Sequence, residues 1–266
     1  MQSSFTGKEI YQHDFDPRAY LETYYGAGSG VFIKDGFLKF VLKNLHKTFT
    51  KGGVKGDLLI DIGPGPAIYQ ELSACEVFKE IIAADFTDRN RQYLDKWLKN
   101  ESGLFDWTPS VKFVCDLEGS SGKVVEKQEK LRRTLKQVVK CDVTNRNPLA
   151  PLVLPKADAV LTVGCLECAC KDLDTYRQVL RNLSSLLKVG GHLIISSILG
   201  STCFTSGSKQ FSLLTLDEDF LRAAVTDSGF VIKDLELLPR DYDKEMFQIC
   251  DHNASIYLVA CKQKDV

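Results

Sequence analysis

The 266-residue chain has no excess of charge of either sign: 34 lysines and arginines stand against 35 aspartates and glutamates, a net charge of −1. A nucleic-acid-binding surface shows as a basic stripe or cluster, and none is visible, so nucleic acid is not an expected partner. Long apolar runs are missing as well. No stretch approaches the ~20 apolar residues that a membrane span requires, and the N-terminus carries no apolar signal region. A cytoplasmic protein without membrane partners is the expectation. Histidine is scarce, and His13, His46, His192 and His252 are scattered. With no separated ligand pairs of the kind zinc uses, no metal is expected. No Ser-His-Asp or Cys-His signature of covalent catalysis is visible either. The nine cysteines are odd in number and irregular in spacing, which excludes a secreted disulfide framework. Their one cluster, Cys165-Leu166-Glu167-Cys168-Ala169-Cys170, reads as buried structural thiols.

What is present is organised around Leu58-Leu59-Ile60-Asp61-Ile62-Gly63-Pro64-Gly65-Pro66-Ala67-Ile68-Tyr69-Gln70. An apolar run without alternation suits a strand covered on both faces. Gly63 and Gly65 then give a tight turn that a ligand can approach closely, followed by a helix N-terminus. Two further short runs end beside acids: Glu80-Ile81-Ile82-Ala83-Ala84-Asp85 and Gln137-Val138-Val139-Lys140-Cys141-Asp142-Val143. Asp85 lies twenty residues after Gly65, where an acid at the end of a second strand accepts from both ribose hydroxyls of a nucleoside. Asp142 could accept from an adenine amino group at the same sheet edge. The full Gly-x-Gly-x-x-Gly turn of a dehydrogenase is missing, because Ile68 stands three residues after Gly65.

At this point the chain resembles a known family. Asp61-Ile62-Gly63-Pro64-Gly65-Pro66-Ala67-Ile68-Tyr69-Gln70, Leu72-Ser73-Ala74-Cys75-Glu76, Cys115-Asp116-Leu117-Glu118-Gly119, Lys140-Cys141-Asp142-Val143-Thr144 and the early Asp16-Pro17-Arg18-Ala19-Tyr20-Leu21-Glu22-Thr23-Tyr24-Tyr25 are similar to segments of the nicotinamide, phenylethanolamine and indolethylamine N-methyltransferases. The resemblance spans nearly the whole chain. It implies a Rossmann-like class I methyltransferase: an α/β fold with a mostly parallel seven-stranded sheet, helices on both faces and an N-terminal helical cap. It also implies S-adenosyl-L-methionine as cofactor and a small amine or pyridine as substrate. On that pattern the cofactor is held by Tyr20, Tyr25, Gly63, Gly65, Tyr69, Asp85, Phe86, Asn90, Asp142, Val143 and Val163. Substrate is contacted by Tyr24, Gly164, Ser197, Ile198, Phe204, Leu213 and Tyr242, and Tyr20 and Glu167 stand at the chemistry.

Taken in order, Asp16-Pro17 reads as an N-cap with proline at the first helical position, so a helix runs from Pro17 to about Tyr25. It carries Tyr20 and Tyr24 on one face, a suitable lid over an aromatic or cationic substrate. Residues 32–49 read as one amphipathic helix with Leu38, Val41, Leu42, Leu45 and Phe49 on its buried face. Residues 101–120 are mixed, and Lys123 to Lys136 reads as a solvated helix. A fourth strand over 155–163 delivers Gly164 to Cys170 to the ligand rim, and Leu173, Tyr176, Leu180, Leu183 and Leu187 form a helical stripe. His192 to Ile198 is the fifth strand, and 199–213 a Ser/Thr/Gly-rich loop able to wall a pocket. Thr215-Leu216-Asp217-Glu218 has the form of a capping box, and Phe230 to Leu238 and Ser255 to Cys261 are the last two strands. No repeat or linker divides the chain. Residues 1–266 are expected as a single methyltransferase domain, monomeric, with 1–50 capping the active site.

Methyl transfer from a sulfonium is an in-line displacement that needs positioning and exclusion of water. A protonated alkylamine must also lose a proton before it attacks, so Glu167, just after the fourth strand, is the candidate acid to orient and deprotonate it. Asp241 and Asp251 are weaker candidates for that role. The departures from the family pattern are informative. The nicotinamide enzymes have aspartate at Ser197, serine at Leu213 and leucine at Gly164. Losing polar partners for a carboxamide favours a more apolar pocket and an arylalkylamine such as tryptamine, serotonin or phenylethylamine. The alternatives are nicotinamide, a thioether acceptor, or a non-catalytic member. Pro64 and Ala67 replace the family's usual serine and threonine, and Pro64 removes a backbone N–H from the cofactor turn.

Overall fold

A computed structural model describes residues 5–28, 30–240 and 248–265. Its strands are β1 (Gly56–Ile62), β2 (Phe78–Asp85), β3 (Leu135–Lys140), β4 (Ala157–Val163), β5 (Leu187–Leu199), β6 (Cys203–Ser206), β7 (Lys209–Ser212), β8 (Phe230–Pro239) and β9 (Ala254–Lys262). Seven of them form one sheet in the order β3-β2-β1-β4-β5-β9-β8, and β6 and β7 pair separately as a hairpin. Only β9 runs against the rest: it is antiparallel to both β5 and β8, and every other pairing in the sheet is parallel. The strand order reverses between β1 and β4, and a crevice at that switch point, beyond the carboxyl ends of the strands, is where such sheets bind ligands.

The helices are α1 (Lys8–Asp14), α2 (Pro17–Tyr25), α3 (Val31–Lys34), α4 (Phe37–Phe49), α5 (Asp88–Leu98), α6 (Thr108–Leu117), α7 (Val124–Thr134), α8 (Leu166–Ala169), α9 (Leu173–Leu186) and α10 (Glu218–Asp227). Successive residues of a strand face opposite sides. In β1, Leu59 packs into a core shared with Val41, Leu42 and Leu45 of α4, while Leu58, Ile60 and Ile62 pack into the opposite core with Val179, Leu180 and Leu183 of α9. That two-sided burial is why the run shows no alternation. Each such side chain contributes roughly 1.5–3 kcal/mol over leaving it exposed.

The helix Pro17–Tyr25 forms as expected, with the Asp16 carboxylate accepting from the N–H groups of Arg18 (2.9 Å) and Ala19 (3.0 Å). Several elements differ from expectation. The helix over 32–49 is broken: Gly36 takes a left-handed conformation (φ 82°) and Asp35 Oδ1 caps the Phe37 N–H at 2.9 Å, which separates α3 from α4. No α-helix follows the glycine turn. Two 3₁₀ turns, Tyr69–Glu71 and Ala74–Glu76, carry the chain back to β2. Residues 66–77 must span the length of β1, roughly 23 Å at about 3.3 Å per residue. A 3₁₀ rise of ~2.0 Å per residue covers that in twelve residues and an α-helical rise of ~1.5 Å does not.

The mixed 101–120 region contains α6, started by Pro109. The charged helix α7 is not solvated all round, because Lys127 is buried and paired with Glu76 at 2.6 Å and Glu118 at 2.5 Å. The serine-rich 199–213 loop folds as the β6–β7 hairpin. The N-cap of α10 is Asp217, accepting from Phe220 N at 2.7 Å, rather than Thr215. Helix α1 has no counterpart among the sequence expectations.

Candidate active site

A cavity of about 470 Å³ opens at the switch point, with the strand ends as floor and the N-terminal helices as roof. That is within the range of small-molecule sites. It has two halves. The first is built on the ends of β1, β2 and β3. Gly63 (φ 68°) and Gly65 (φ 63°) both need the left-handed region, and a Cβ on Gly63 would fall 2.1 Å from Cys165 Sγ. Gly65 N–H donates to Asp85 Oδ2 at 2.9 Å, which fixes the turn against the second strand. Asp85 Oδ1 accepts from Thr87 N (2.9 Å), Thr87 Oγ1 (3.1 Å) and Asn90 Nδ2 (3.1 Å). Oδ2, with one donor, keeps capacity for a ribose hydroxyl. Asn90 Oδ1 is buried and finds no partner among the described residues. A polyhydroxyl ligand fits these groups, since its O–H donors would satisfy an orphaned acceptor. Asp142 is more engaged than expected: Lys8 of α1 pairs with its Oδ2 at 2.7 Å, and Thr144 donates to its Oδ1 through N (3.1 Å) and Oγ1 (2.6 Å). Phe86, Val143 and Val163 line the same half.

The second half is aromatic. Tyr20 and Tyr24 (ring centroids 4.9 Å apart), Phe204 (6.3 Å from each), Phe15 (5.3 Å from Tyr20) and Tyr11 (6.4 Å from Phe204) surround it. Tyr25 and Tyr69 join the halves, their hydroxyls 3.3 Å apart. Burial raises the pKa of Tyr20, Tyr25 and Tyr69, so all three hydroxyls are neutral donors at physiological pH. Tyr24 is anchored outside the cavity, its hydroxyl donating to Thr205 O (3.0 Å) and accepting from Thr205 N (3.2 Å) of β6. Only its ring faces the site.

The acid of this half is Glu167 of α8. Its side chain lines the cavity, is 2 % exposed, and has its Oε1 without a donor among the described residues. Burial raises its pKa above the ordinary carboxylate range, partly offset by the nearby Ser197 hydroxyl and the backbone N–H groups of Glu167 and Ile198. A Cβ at Gly164 (φ 64°) would meet nothing within 4 Å, while the left-handed backbone there disfavours any side chain. Ile198 and Leu213 line the cavity.

Two of the sequence-derived site residues stand apart. Ser197 is fully buried and does not line the cavity, and its hydroxyl donates to Ile198 O at 3.5 Å. Tyr242 lies outside the described residues, as does Asp241. Asp251 is engaged with the start of the hairpin, accepting from Ser201 Oγ (2.7 Å) and Thr202 N (2.8 Å). Tyr11, Phe15, Lys8, Cys165, Cys168 and Cys250 line the cavity without having been singled out as site residues. The four-residue spacing of Tyr11 and Phe15 was the available signal, since it puts two rings on one helical face.

The sheet order, the glycine turn and the acid after the second strand define a class I S-adenosylmethionine-dependent methyltransferase. The magnesium protoporphyrin IX methyltransferase of Synechocystis PCC 6803, solved with bound SAH, shares this fold: TM-score 0.59 at 14 % identity, over 96 % of this chain and 97 % of that one. The family is narrower. The model of the NNMT/PNMT/TEMT family matches residues 2–263, and the chain belongs to that family. It is 54 % identical to the indolethylamine N-methyltransferase of Oryctolagus cuniculus, over 91 % of this chain and 92 % of the relative. It is 52 % identical to the nicotinamide N-methyltransferase of Homo sapiens, over 92 % and 93 %.

Proposed function

We propose that the protein transfers the methyl group of S-adenosylmethionine to the amine of a small arylalkylamine, of the indolethylamine, serotonin or phenylethylamine type. The observation that carries this reading is Glu167, a buried carboxylate with a free oxygen at the edge of an aromatic pocket. The cofactor supplies an electrophilic methyl group. Gly63, Gly65, Asp85 and Asn90 would hold its nucleoside end, Tyr25 and Tyr69 would offer donors to its amino-acid end, and the Tyr20 ring would shield it from bulk water. The substrate's ring lies among Tyr11, Phe15, Tyr24 and Phe204, whose π-faces also favour a cation. Glu167 accepts a hydrogen bond from the ammonium and takes its proton, which frees the nitrogen lone pair for methylation. A carboxylate whose pKa is raised by burial is a better proton acceptor for that step than a solvated one.

A nicotinamide acceptor is the second reading, favoured by the human relative's activity. It is weakened by Leu213 on the wall and by Ser197 being buried away from the cavity, which leave little to pair with a carboxamide. We extend the reading to residues 1–50 acting as a cap, supported by Lys8, Tyr11 and Tyr20 lining the cavity. We also take the protein to be monomeric and cytoplasmic, which sedimentation and cell fractionation would test. The deciding assay is mass-spectrometric detection of methylation with S-adenosylmethionine and, in parallel, tryptamine, serotonin, phenylethylamine and nicotinamide. Methylation of the amines and not of nicotinamide is expected; nicotinamide as the sole acceptor would overturn the reading.

A further inference from the structure

The mechanism leaves the thiols on the cavity wall unused. Cys165 and Cys168 stand on either side of Leu166-Glu167, and both line the cavity and are partly exposed. They are held in one helical turn: the N–H groups of Cys168 and Ala169 both donate to Cys165 O at 3.0 Å. Cys168 Sγ is turned back along the chain and donates to Gly164 O at 3.3 Å, on the Cys165 side. Cys165 Sγ rests on Gly63, in the space a Cβ there would occupy. The other thiols nearby are differently placed. Cys170 and Cys141 are buried, and Cys250 Sγ is engaged by His252 Nδ1 at 3.3 Å and Ser201 Oγ at 3.8 Å.

We propose that Cys165 and Cys168 form a dithiol site that closes to an intramolecular disulfide, and that closure re-aims Glu167 and switches methyl transfer off. Residues three apart on a helix have Cβ atoms about 5–6 Å apart, whereas a disulfide needs about 3.5–4.5 Å. Closure therefore draws the turn together by roughly 1–2 Å, with Glu167 inside the shortened loop. It also pulls Cys165 Sγ off the cofactor turn. A displacement of this size is enough to lose an aligned proton acceptor, where about 1 Å can cost ~100-fold.

The chemistry balances with a disulfide-class oxidant such as oxidised glutathione. One protein thiolate attacks the oxidant's S–S bond and expels one thiol, giving a mixed disulfide. The second protein thiol then displaces the other half as a second thiol. The protein loses two hydrogens and two electrons, and the oxidant gains both. Burial and the acidic neighbours Glu167 and Asp85 hold the two thiols well above their ordinary pKa. Exchange is therefore slow compared with turnover, and the oxidised state persists once formed.

The test uses the full chain incubated with oxidised glutathione, quenched with an alkylating agent and read by intact and fragment-ion mass spectrometry. The expected result is two fewer alkylatable cysteines, located at Cys165 and Cys168, in wild type and in Cys170→Ser and Cys250→Ser. Neither Cys165→Ser nor Cys168→Ser shows the loss, and saturating S-adenosylmethionine slows it in wild type. Turnover of whichever acceptor the enzyme methylates falls at least ~10-fold and returns with dithiothreitol. Loss of two thiols in Cys168→Ser would overturn the pairing, as would accumulation of a stable mixed disulfide alone. A disulfide with unchanged turnover would overturn the link to Glu167. The coupling to turnover rests on the proposed role of Glu167, but the thiol count does not depend on the acceptor, so the two can fail separately.

Discussion

The two halves of the cavity are built by different rules. In the cofactor half, the polar groups satisfy one another over short sequence distances: Asp85 binds Thr87 and Asn90, and Asp142 binds Thr144. Only the bond to Gly65 N–H and the Lys8 pair reach further. In the aromatic half, the lining groups come from segments far apart in the chain. Tyr11 and Tyr20 come from the N-terminal helices, Glu167 from just after β4, Phe204 and Leu213 from the hairpin and its exit, and Cys250 from the approach to β9. Local construction ties the first half to the sheet edge itself. On the proposed function, long-range construction leaves the second half to set which acceptor is methylated.

The most severe way to break the comparison is Asp85→Ala. It strips the acceptor from the Gly65 and Asn90 donors at once, and charge-assisted bonds of this kind are worth about 1.5–3 kcal/mol each. Cofactor affinity measured by calorimetry should fall at least ~100-fold, equally for every acceptor tested. Glu167→Gln should do the opposite: leave cofactor affinity unchanged and lower kcat on an alkylamine by about 10²–10⁴-fold. A pyridine acceptor, which has no proton to lose, should be spared. Equal loss on both acceptors would place Glu167 in packing rather than proton transfer.

The pH profile sharpens the same point. Burial raises the Glu167 pKa, so the carboxyl stays protonated, and unable to accept, to a higher pH than an exposed glutamate. With amine bound, kcat should rise with pH through that raised value and then level, and Glu167→Gln should flatten the rise. Tyr24→Phe removes two hydrogen bonds to Thr205 and should cost about 1–2 kcal/mol of stability, read as a lowered Tm, with KM for the amine rising more than that for the cofactor. The smallest effect is expected from Lys8→Ala. Its pair with Asp142 is half exposed, so such a bridge is worth ~0–1 kcal/mol and cofactor affinity should change by no more than about 5-fold.

What was legible in the chain follows the same division. The strands, the Gly63-x-Gly65 turn, Asp85 and the α9 stripe could be read because each is specified within a few neighbouring residues by burial period or turn chemistry. The broken helix at Gly36 and the hairpin over 203–212 were not legible. The hairpin pairs Phe204 with Phe211 across its strands, ring centroids 5.2 Å apart, and packs both rings against Tyr11 and Phe211 against Phe15 of the N-terminal segment, contacts that no local period in the serine-rich stretch records. The path from Gly65 to β2 was misread because its 3₁₀ form answers to the distance it must span, not to its own propensities.

The sequence by itself therefore determined the sheet, the glycine turn after β1 and the acids at the ends of β2 and β3, because neighbours along the chain are neighbours in these motifs. Tertiary structure alone decided that Glu167 is buried on the cavity wall, that Ser197 lies away from it, that Lys8 reaches Asp142 and that Tyr11 joins the aromatic wall. Those pairings join distant parts of the chain, Lys8 to Asp142 across 134 positions and Tyr11 to Phe204 and Phe211 across more, and no local period records them. Packing fixes them only when the cap and the hairpin close over the strand ends.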